Sequence, residues 1–168
     1  SEISVVVARS STSELKFFPV AENVHRNGIL HTSTVPANVD EKIQDQAKLY
    51  TRKIAETLEY CGILAVEFFI DKKDRLYFNE MAPRTHNSAH YSIDACYTSQ
   101  FEQQIRAICG LPLGNSNAHS AATMTNLLGD LWNETTPDWL KILQNENVNL
   151  HLYGKKNALY MQMHHDLH

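Results

Sequence analysis

The sequence predicts an α+β fold, in which an antiparallel sheet is covered by helices. Short runs of β-branched residues alternate with turn residues, which is typical of strands joined as hairpins. One longer segment instead repeats apolar residues every three or four positions, as helices do. With 168 residues, 43% hydrophobic and 20% charged, the chain fits one compact domain, or one domain with a small appendage.

The first strands are predicted close to the start of the chain. Residues 3–8 form a β-branched run, and a turn at 11–14 separates this strand from a hairpin partner at 15–20. We expect a polar loop at 23–28 and a further strand at 29–35. The chain enters a strand without a polar lead-in, which could mark a piece of a longer chain or simply a natural N-terminal strand.

One long helix is predicted over residues 41–61. Its start is indicated by Asp40, a favourable N-cap, and its end by Gly62, at the position where a glycine often terminates a helix. The apolar residues that would line one face are Ile43, Ala47, Tyr50, Ile54 and Leu58. We expect this helix to cover the sheet and to carry no chemistry.

The second half of the chain is predicted to contain a further helix and shorter elements. Ser99 and Glu102 form a capping box that opens a helix ending at Gly110. The polar segment 111–117 is a plausible boundary between domains. Beyond it the sequence predicts a strand at 119–128 before Gly129, a short helix capped by Thr136 with Pro137 at its first position, and a last strand at 148–153.

Composition excludes several classes of function. The net charge of −4 gives no basic surface for nucleic acid, and no apolar run is long enough to cross a membrane. The three cysteines are Cys61, Cys96 and Cys109, an odd number without metal-binding spacing. This favours free thiols in a reducing cytoplasm over a disulfide scaffold.

Two glutamates interrupt an otherwise apolar hairpin. Strands are predicted at 63–70 and 76–80, with Glu67 on the first and Glu80 on the second. A four-residue loop would set Glu67 diagonal to Glu80, and a shift of one residue would set them directly opposite. Because side chains alternate along a strand, both registers place the two carboxylates on one face.

Two carboxylates so close together repel each other, and this repulsion could be reduced in three ways. One carboxyl could hold a proton, a basic side chain could lie between the two, or a divalent cation could bind both. Alternatively, the face is exposed to solvent and the pair is only weakly strained. Phe69, Leu76 and Phe78 are expected on the same face, which argues against full exposure. The pattern alone favours neither the metal nor the solvent interpretation.

The segment after the hairpin is unusually rich in polar groups. Pro83 ends the strand, and within seven positions follow Arg84, His86, Asn87, Ser88 and His90. Beside two carboxylates, these side chains suit a small polar or anionic substrate. A solvated loop with a helix cap is the simpler alternative. Zinc bound by the two histidines with Cys96 is disfavoured by the hard carboxylates nearby.

The same residues carry a resemblance to a known family. EFF (67–69) and NEMAPRTHNSAHYSIDACYTSQFEQ (79–103) closely resemble the ATP-grasp carboxyaminoimidazole ribonucleotide synthases of purine biosynthesis. Further segments match the same family in order: ENVHRNGILH (22–31), AICGLPLG (107–114), TNLLGD (125–130) and LHLYGKK (150–156). The resemblance covers residues 2 to about 158.

The resemblance implies a fold and an activity. Residues 1–112 would be the C-terminal portion of an ATP-grasp domain, and residues 113–168 a small β-rich domain with an atypical histidine-rich tail. The family carboxylates aminoimidazole ribonucleotide with bicarbonate, converting ATP to ADP and phosphate through carboxyphosphate. The resemblance also implies a cytoplasmic homodimer that uses Mg²⁺ or, alternatively, Mn²⁺, and that binds neither nucleic acid nor membrane.

It also implies roles for particular residues. Glu67 and Glu80 would hold the metal ion between the phosphates of ATP. The nucleotide would be contacted by Glu2, His25, Asn79 and Glu80. The groups facing bicarbonate and the ribonucleotide would be Arg84, His86, Asn87, Ser88 and His90, with Lys155 near the ribonucleotide phosphate.

The chain departs from the family pattern in two ways. The family has a longer N-terminal part, with the lysines and the glycine-rich loop that close over ATP. Near the end, Leu159 and Gln162 stand about where arginines would grip the ribonucleotide phosphate. The comparison with other ATP-grasp ligases and carboxylases is a separate point. Many of those proteins have asparagine two residues after the second glutamate, where this chain has Ala82.

Three alternatives therefore stay open. The chain could be an inactive or metal-binding fragment that uses His164, His165 and His168 of its tail. It could belong to another ATP-grasp carboxylase or ligase. It could also be a subunit that needs a separate N-terminal partner to become active.

Overall fold

A computed structural model describes residues 1–128 and 137–153. The chain divides into two compact units, Ser1–Thr125 and Asn126–His168. The first holds the sheet and its covering helices, and the described part of the second holds one short helix. The boundary between residues 112 and 113 stays a prediction.

The described residues of the first unit form one antiparallel sheet of seven strands. The strands are β1 (Glu2–Arg9), β2 (Leu15–Phe17), β3 (Ala21–Arg26), β4 (Ile29–Val35), β5 (Gly62–Ile70), β6 (Leu76–Ala82) and β7 (Ala122–Thr125). Their order is β6-β5-β1-β3-β4-β7, with β2 pairing β1 beside this path. Every pairing is antiparallel, which confirms the predicted fold class.

Helices begin where side chains satisfy the first free backbone N–H groups. The helices are α1 (Glu41–Thr57), a 3₁₀ helix (Asn87–Ala89), α2 (Ser92–Ala95), α3 (Gln100–Ile108) and α4 (Trp139–Leu143). Asp40 accepts from the Lys42 N–H at the start of α1, and Ser99 accepts from the Glu102 N–H at the start of α3. Both predicted N-caps are confirmed.

Each face of the sheet is covered by different helices. On one face, β1 and β5 bury Ile3, Val5, Leu64, Val66 and Phe68 with the apolar side of α1. On the other face, Val6, Ala8, Ile63 and Ala65 pack with the segment that runs from the 3₁₀ helix through α3. Burying each large apolar side chain stabilises the fold by roughly 1.5–3 kcal/mol. We call these the α1 face and the α3 face.

Two local predictions are wrong. Residues 23–26 belong to β3 rather than a loop, because all four pair with β4 and Asn23 also pairs with β1. The turn is shorter, with positive φ at Asn27 and Gly28, as a two-residue hairpin turn requires. Helix α1 ends at Thr57 and Glu59 takes the left-handed conformation, while Gly62 already begins β5.

The C-terminal predictions are met only in part. The strand expected at 119–128 is limited to Ala122–Thr125, and residues 148–153 form no strand. The short helix is present, but Asp138 is its N-cap and accepts from the Lys141 N–H. The predicted roles of Gly129 and Thr136 lie outside the described residues.

None of the helices in the described parts of the chain has the length and apolar character needed to cross a bilayer.

Candidate functional site

The site lies where the α3 face changes from apolar to polar. Along β1 the side chains on this face run from Ala8 and Val6, which are part of the core, to Ser4 and Glu2. On β5 the same change leads from Ala65 to Glu67, which pairs with Ser4. The sheet thus brings polar groups from several strands together at one end of a buried face.

A β-bulge sets Glu67 directly opposite Glu80. Next to the turn, Ile70 pairs with Leu76 and Phe68 with Phe78, which in a regular ladder would set Glu67 opposite Asn79. Asn79 is instead the additional residue of a bulge, so Glu67 pairs with Glu80. The two glutamates are therefore directly opposite, as one of the two predicted registers required, but neither predicted register holds at the turn.

The bulge also corrects the expected surroundings of the pair. Leu76 and Phe78 do not share the face of Glu80, because the extra residue reverses the alternation of β6. Phe69 does share the face of Glu67 but is 46% exposed, and Phe78 is 55% exposed. These apolar residues therefore do not shield Glu67 and Glu80 from solvent, and the prediction that they would is wrong.

Glu67 is nonetheless buried, with only 4% of its surface exposed. Its pKa is raised from 4.5 to about 7, first by loss of hydration and then by the charges of Glu2 and Glu80. Among the described residues, its Oε1 has no hydrogen-bond partner. A buried carboxylate in this state favours either a proton or a cation.

Glu2 and His25 meet beside it. His25 Nδ1 lies 2.8 Å from Glu2 Oε2, and the amide of Asn79 donates to Glu2 Oε1 at 3.3 Å. The side chains of Glu2 and His25 are 13% and 27% exposed, respectively. Two of the residues expected on the nucleotide side, His25 and Asn79, are therefore each in contact with a third, Glu2.

The loop after β6 brings a second histidine to the glutamates. His86 Nδ1 lies 3.9 Å from Glu67 Oε1 and 2.8 Å from the Ser88 hydroxyl. Burial, followed by the positive charge of Arg84, lowers the pKa of His86. Its imidazole is therefore favoured in the neutral form, with Nδ1 engaged by Ser88.

The backbone of His86 is fixed by a residue that the sequence did not single out as functional. Gln100, which is 1% exposed at the start of α3, accepts from the His86 N–H at 2.9 Å and donates to its carbonyl at 2.7 Å. The Gln100 N–H in turn donates to Ser92. A polar residue at the first position of a helix gives no pattern by which this contact could be predicted.

The other loop residues lie in different surroundings. Arg84 and Asn87 are exposed, and the Arg84 guanidinium donates to the Thr85 carbonyl at 2.9 Å. Ser88 is fully buried, and the ring of His90 stands edge-on to Phe101 at 6.2 Å. Lys155, Leu159, Gln162 and the histidines of the tail lie outside the described residues.

The donor atoms fit a divalent cation. Glu67, Glu80 and His86 offer ligand atoms that all lie within 4.8 Å of one another, and so do Glu2, His25 and Glu67. Glu67 belongs to both sets, is buried, and has an oxygen without a hydrogen-bond partner in the described structure. Carboxylate oxygens are the ligands that Mg²⁺ prefers in proteins.

Comparison with known proteins agrees with this geometry. Residues 1–101 match the ATP-grasp domain family. The chain belongs to this family. Residues 122–160 match a second family, the phosphoribosylaminoimidazole carboxylase C-terminal domain. The resemblance predicted from the sequence is confirmed.

Individual relatives agree with both matches. An N5-carboxyaminoimidazole ribonucleotide synthase of Brucella melitensis is 48% identical over 94% of this chain and 42% of its own length. The crystal structure of an ADP complex of an N5-carboxyaminoimidazole ribonucleotide synthetase is 48% identical, with a TM-score of 0.87 over 94% of this chain and 41% of that one.

A third relative was solved with two ligands. The Aspergillus clavatus synthase in complex with ADP and 5-aminoimidazole ribonucleotide is 32% identical, with a TM-score of 0.72 over 76% of this chain and 35% of its own. The chain thus spans about 40% of the length of the curated relatives it matches.

Proposed function

We propose that this chain is the C-terminal part of an ATP-dependent ligase that carboxylates aminoimidazole ribonucleotide with bicarbonate. The observation that carries the proposal is the direct pairing of Glu67 with Glu80, at the polar end of a face that Glu2, His25 and His86 also reach. Relatives that share these segments are named for this reaction. Residues 1–112 would supply the ATP-grasp portion, and residues 113–168 the small C-terminal domain.

Glu67 and Glu80 would hold Mg²⁺, with Mn²⁺ as an alternative. When bound, the ion would neutralise negative charge on the phosphates during phosphoryl transfer. Burial of Glu67 removes competing water from one side, while the exposed Glu80 leaves the other side open to a phosphate oxygen. The rise in the pKa of Glu67 means that binding near neutral pH must also displace a proton.

Glu2, His25 and Asn79 would contact the nucleotide. Glu2 contacts both of the others, which limits the motion of these side chains before a ligand arrives and reduces the entropy lost on binding. Asn79 is exposed and stands on the bulge, so its amide can exchange its bond with Glu2 for one to a ligand.

The loop after β6 would face bicarbonate and the ribonucleotide. Arg84 is an exposed guanidinium that can bind an anion through two parallel hydrogen bonds. His86 is neutral and held in place by Ser88 and by Gln100, which suits a group that orients a substrate. Asn87, Ser88, His90 and, beyond the described residues, Lys155 would complete this side of the site.

ATP turnover would need the part of the relatives' length that these 168 residues do not match. ATP-grasp enzymes enclose the nucleotide between two lobes, and one of these lobes is here. We therefore expect the isolated chain to be inactive, and the assembled enzyme to be a cytoplasmic homodimer.

The test is ATP hydrolysis with Mg²⁺, bicarbonate and aminoimidazole ribonucleotide, by these 168 residues alone and after co-expression with the N-terminal part of a relative that they do not match. We expect turnover only in the co-expressed complex, and its loss in the Glu80→Gln variant. The matched control is Glu102→Gln, which removes the charge of an exposed glutamate on α3. Near-normal turnover in Glu80→Gln would contradict the metal assignment.

A further inference from the structure

Two of the residues proposed to contact the nucleotide, Glu2 and His25, form with Glu67 a cluster that has the character of a transition-metal site. One ligand atom from each of Glu2, His25 and Glu67 lies within 4.8 Å of the other two. The three residues come from β1, β3 and β5, which are neighbours in the sheet. Glu2 and Glu67 lie on strands that pair over eight residues, and His25 lies two residues beyond the pairing of Asn23 with Glu2.

Two of the three residues carry buried atoms that lack a hydrogen bond within the described structure. They are His25 Nδ1 and Glu67 Oε1. His25 Nδ1 does lie 2.8 Å from Glu2 Oε2, but this contact is not aligned as a hydrogen bond. Two ligands of one metal ion lie about 3 Å apart without sharing a proton, because each directs a lone pair at the ion.

The other cluster, Glu67 with Glu80 and His86, differs in this respect. His86 Nδ1 is 2.8 Å from the Ser88 hydroxyl and 3.9 Å from Glu67. His86 is thus engaged within its own loop, whereas His25 has only a carboxylate beside its nitrogen. Glu80 is exposed, so the second cluster is also the wetter of the two.

We propose that Glu2, His25 and Glu67 bind one transition-metal ion, such as Zn²⁺ or Co²⁺, when the nucleotide is absent. A set of one imidazole nitrogen and two carboxylate oxygens favours these ions over Mg²⁺, which prefers oxygen alone. The ion would offset the charges of two adjacent carboxylates. This site shares Glu67 with the Glu67–Glu80 pair but takes its other two ligands from β1 and β3, and its existence does not depend on the proposed reaction.

The test is Co²⁺ binding to the nucleotide-free chain, followed by visible absorption and by calorimetry. All proteins carry alanine at positions 164, 165 and 168, because the three histidines there could bind metal themselves. His25→Gln and His86→Gln form the matched pair, since each removes one imidazole from one cluster. Circular dichroism and thermal unfolding confirm that both variants remain folded.

We expect stoichiometric Co²⁺ binding that weakens by roughly tenfold or more in His25→Gln, with loss of the imidazole-dependent absorption. Glu2→Gln should weaken binding similarly, and His86→Gln should change the Kd less than about threefold. Two results would overturn the proposal: no stoichiometric binding, or equal loss in His25→Gln and His86→Gln. Because no ATP is present, neither result bears on the proposed ligase activity.

Discussion

Replacing Glu67 by glutamine should remove a pH dependence of stability that this single residue creates. The pKa of Glu67 rises from 4.5 to about 7 on folding, so between these values the folded state binds more protons than the unfolded state. The free energy of unfolding therefore falls as the pH rises through this window. The contribution is fully present below about pH 4.5 and is lost above about pH 7.

The magnitude follows from the size of the shift. Each pKa unit corresponds to about 1.36 kcal/mol, so a rise from 4.5 to about 7 amounts to roughly 3 kcal/mol. Glu67 is only 4% exposed, so solvent screens its charge little. Glutamine keeps the shape and the hydrogen-bonding groups of the protonated acid but cannot ionise.

The assay is urea unfolding of the 168-residue chain at several pH values from 4.5 to 8, with a chelator present. We expect Glu67→Gln to gain roughly 3 kcal/mol relative to the parent chain between the two ends of this range. Glu14→Gln, at an exposed surface position, serves as the control and should give a constant difference. If the difference between Glu67→Gln and the parent chain is also constant with pH, the burial argument fails.

Three further predictions concern the loop after β6, the turn between β5 and β6, and Arg84, which is proposed to bind an anion. Gln100→Leu leaves the N–H and the carbonyl of His86 without partners, at about 1–3 kcal/mol each, and should speed amide hydrogen exchange in residues 86–90. Gln103→Leu, equally buried on α3, should leave that segment unchanged, and equal effects would contradict the prediction. The pKa of Asp71 is lowered to about 2 by hydrogen bonds in the turn, so its stabilising contribution is present above about pH 4 and lost as the pH falls through 2. The stability difference between Asp71→Asn and the parent chain should shrink in that range when measured by urea unfolding. In the assembled enzyme, Arg84→Ala should reduce bicarbonate- and ribonucleotide-dependent turnover more than ATP affinity. An effect on ATP affinity alone would mean that the loop after β6 faces ATP rather than bicarbonate and the ribonucleotide.

Much of the fold follows from local sequence. The β-branched runs gave β1 and β5, and Asp40 and Ser99 marked the starts of α1 and α3, because these signals act within a few residues. The polar stretch before Gly28 was misread because it is stabilised as a strand by its pairing with β4 rather than by its own composition.

The candidate site was less accessible to such reasoning. Alternation along two strands placed Glu67 and Glu80 on one face, but it could not choose their register, which depends on a bulge in the backbone. The contact between Glu2 and His25 depends on β1 lying between β5 and β3, and local periodicity carries no information about strand order. The contact of Gln100 with His86 likewise joins residues whose proximity only the tertiary fold creates.

Asn79, the extra residue in β6, separates a part of the strand that packs against the core from a part that carries the acidic site. In a regular strand the side chains of Phe78 and Glu80 would lie on the same face. A shift of Phe78 that improved core packing would then also displace Glu80. With Asn79 between them, the segment before it packs toward α1 and the segment after it serves the polar end of the opposite face. The two segments can accumulate substitutions independently, one constrained by packing and the other by ligand chemistry. Deleting Asn79 would rejoin them, and one of the two roles would be lost even though every other residue remained.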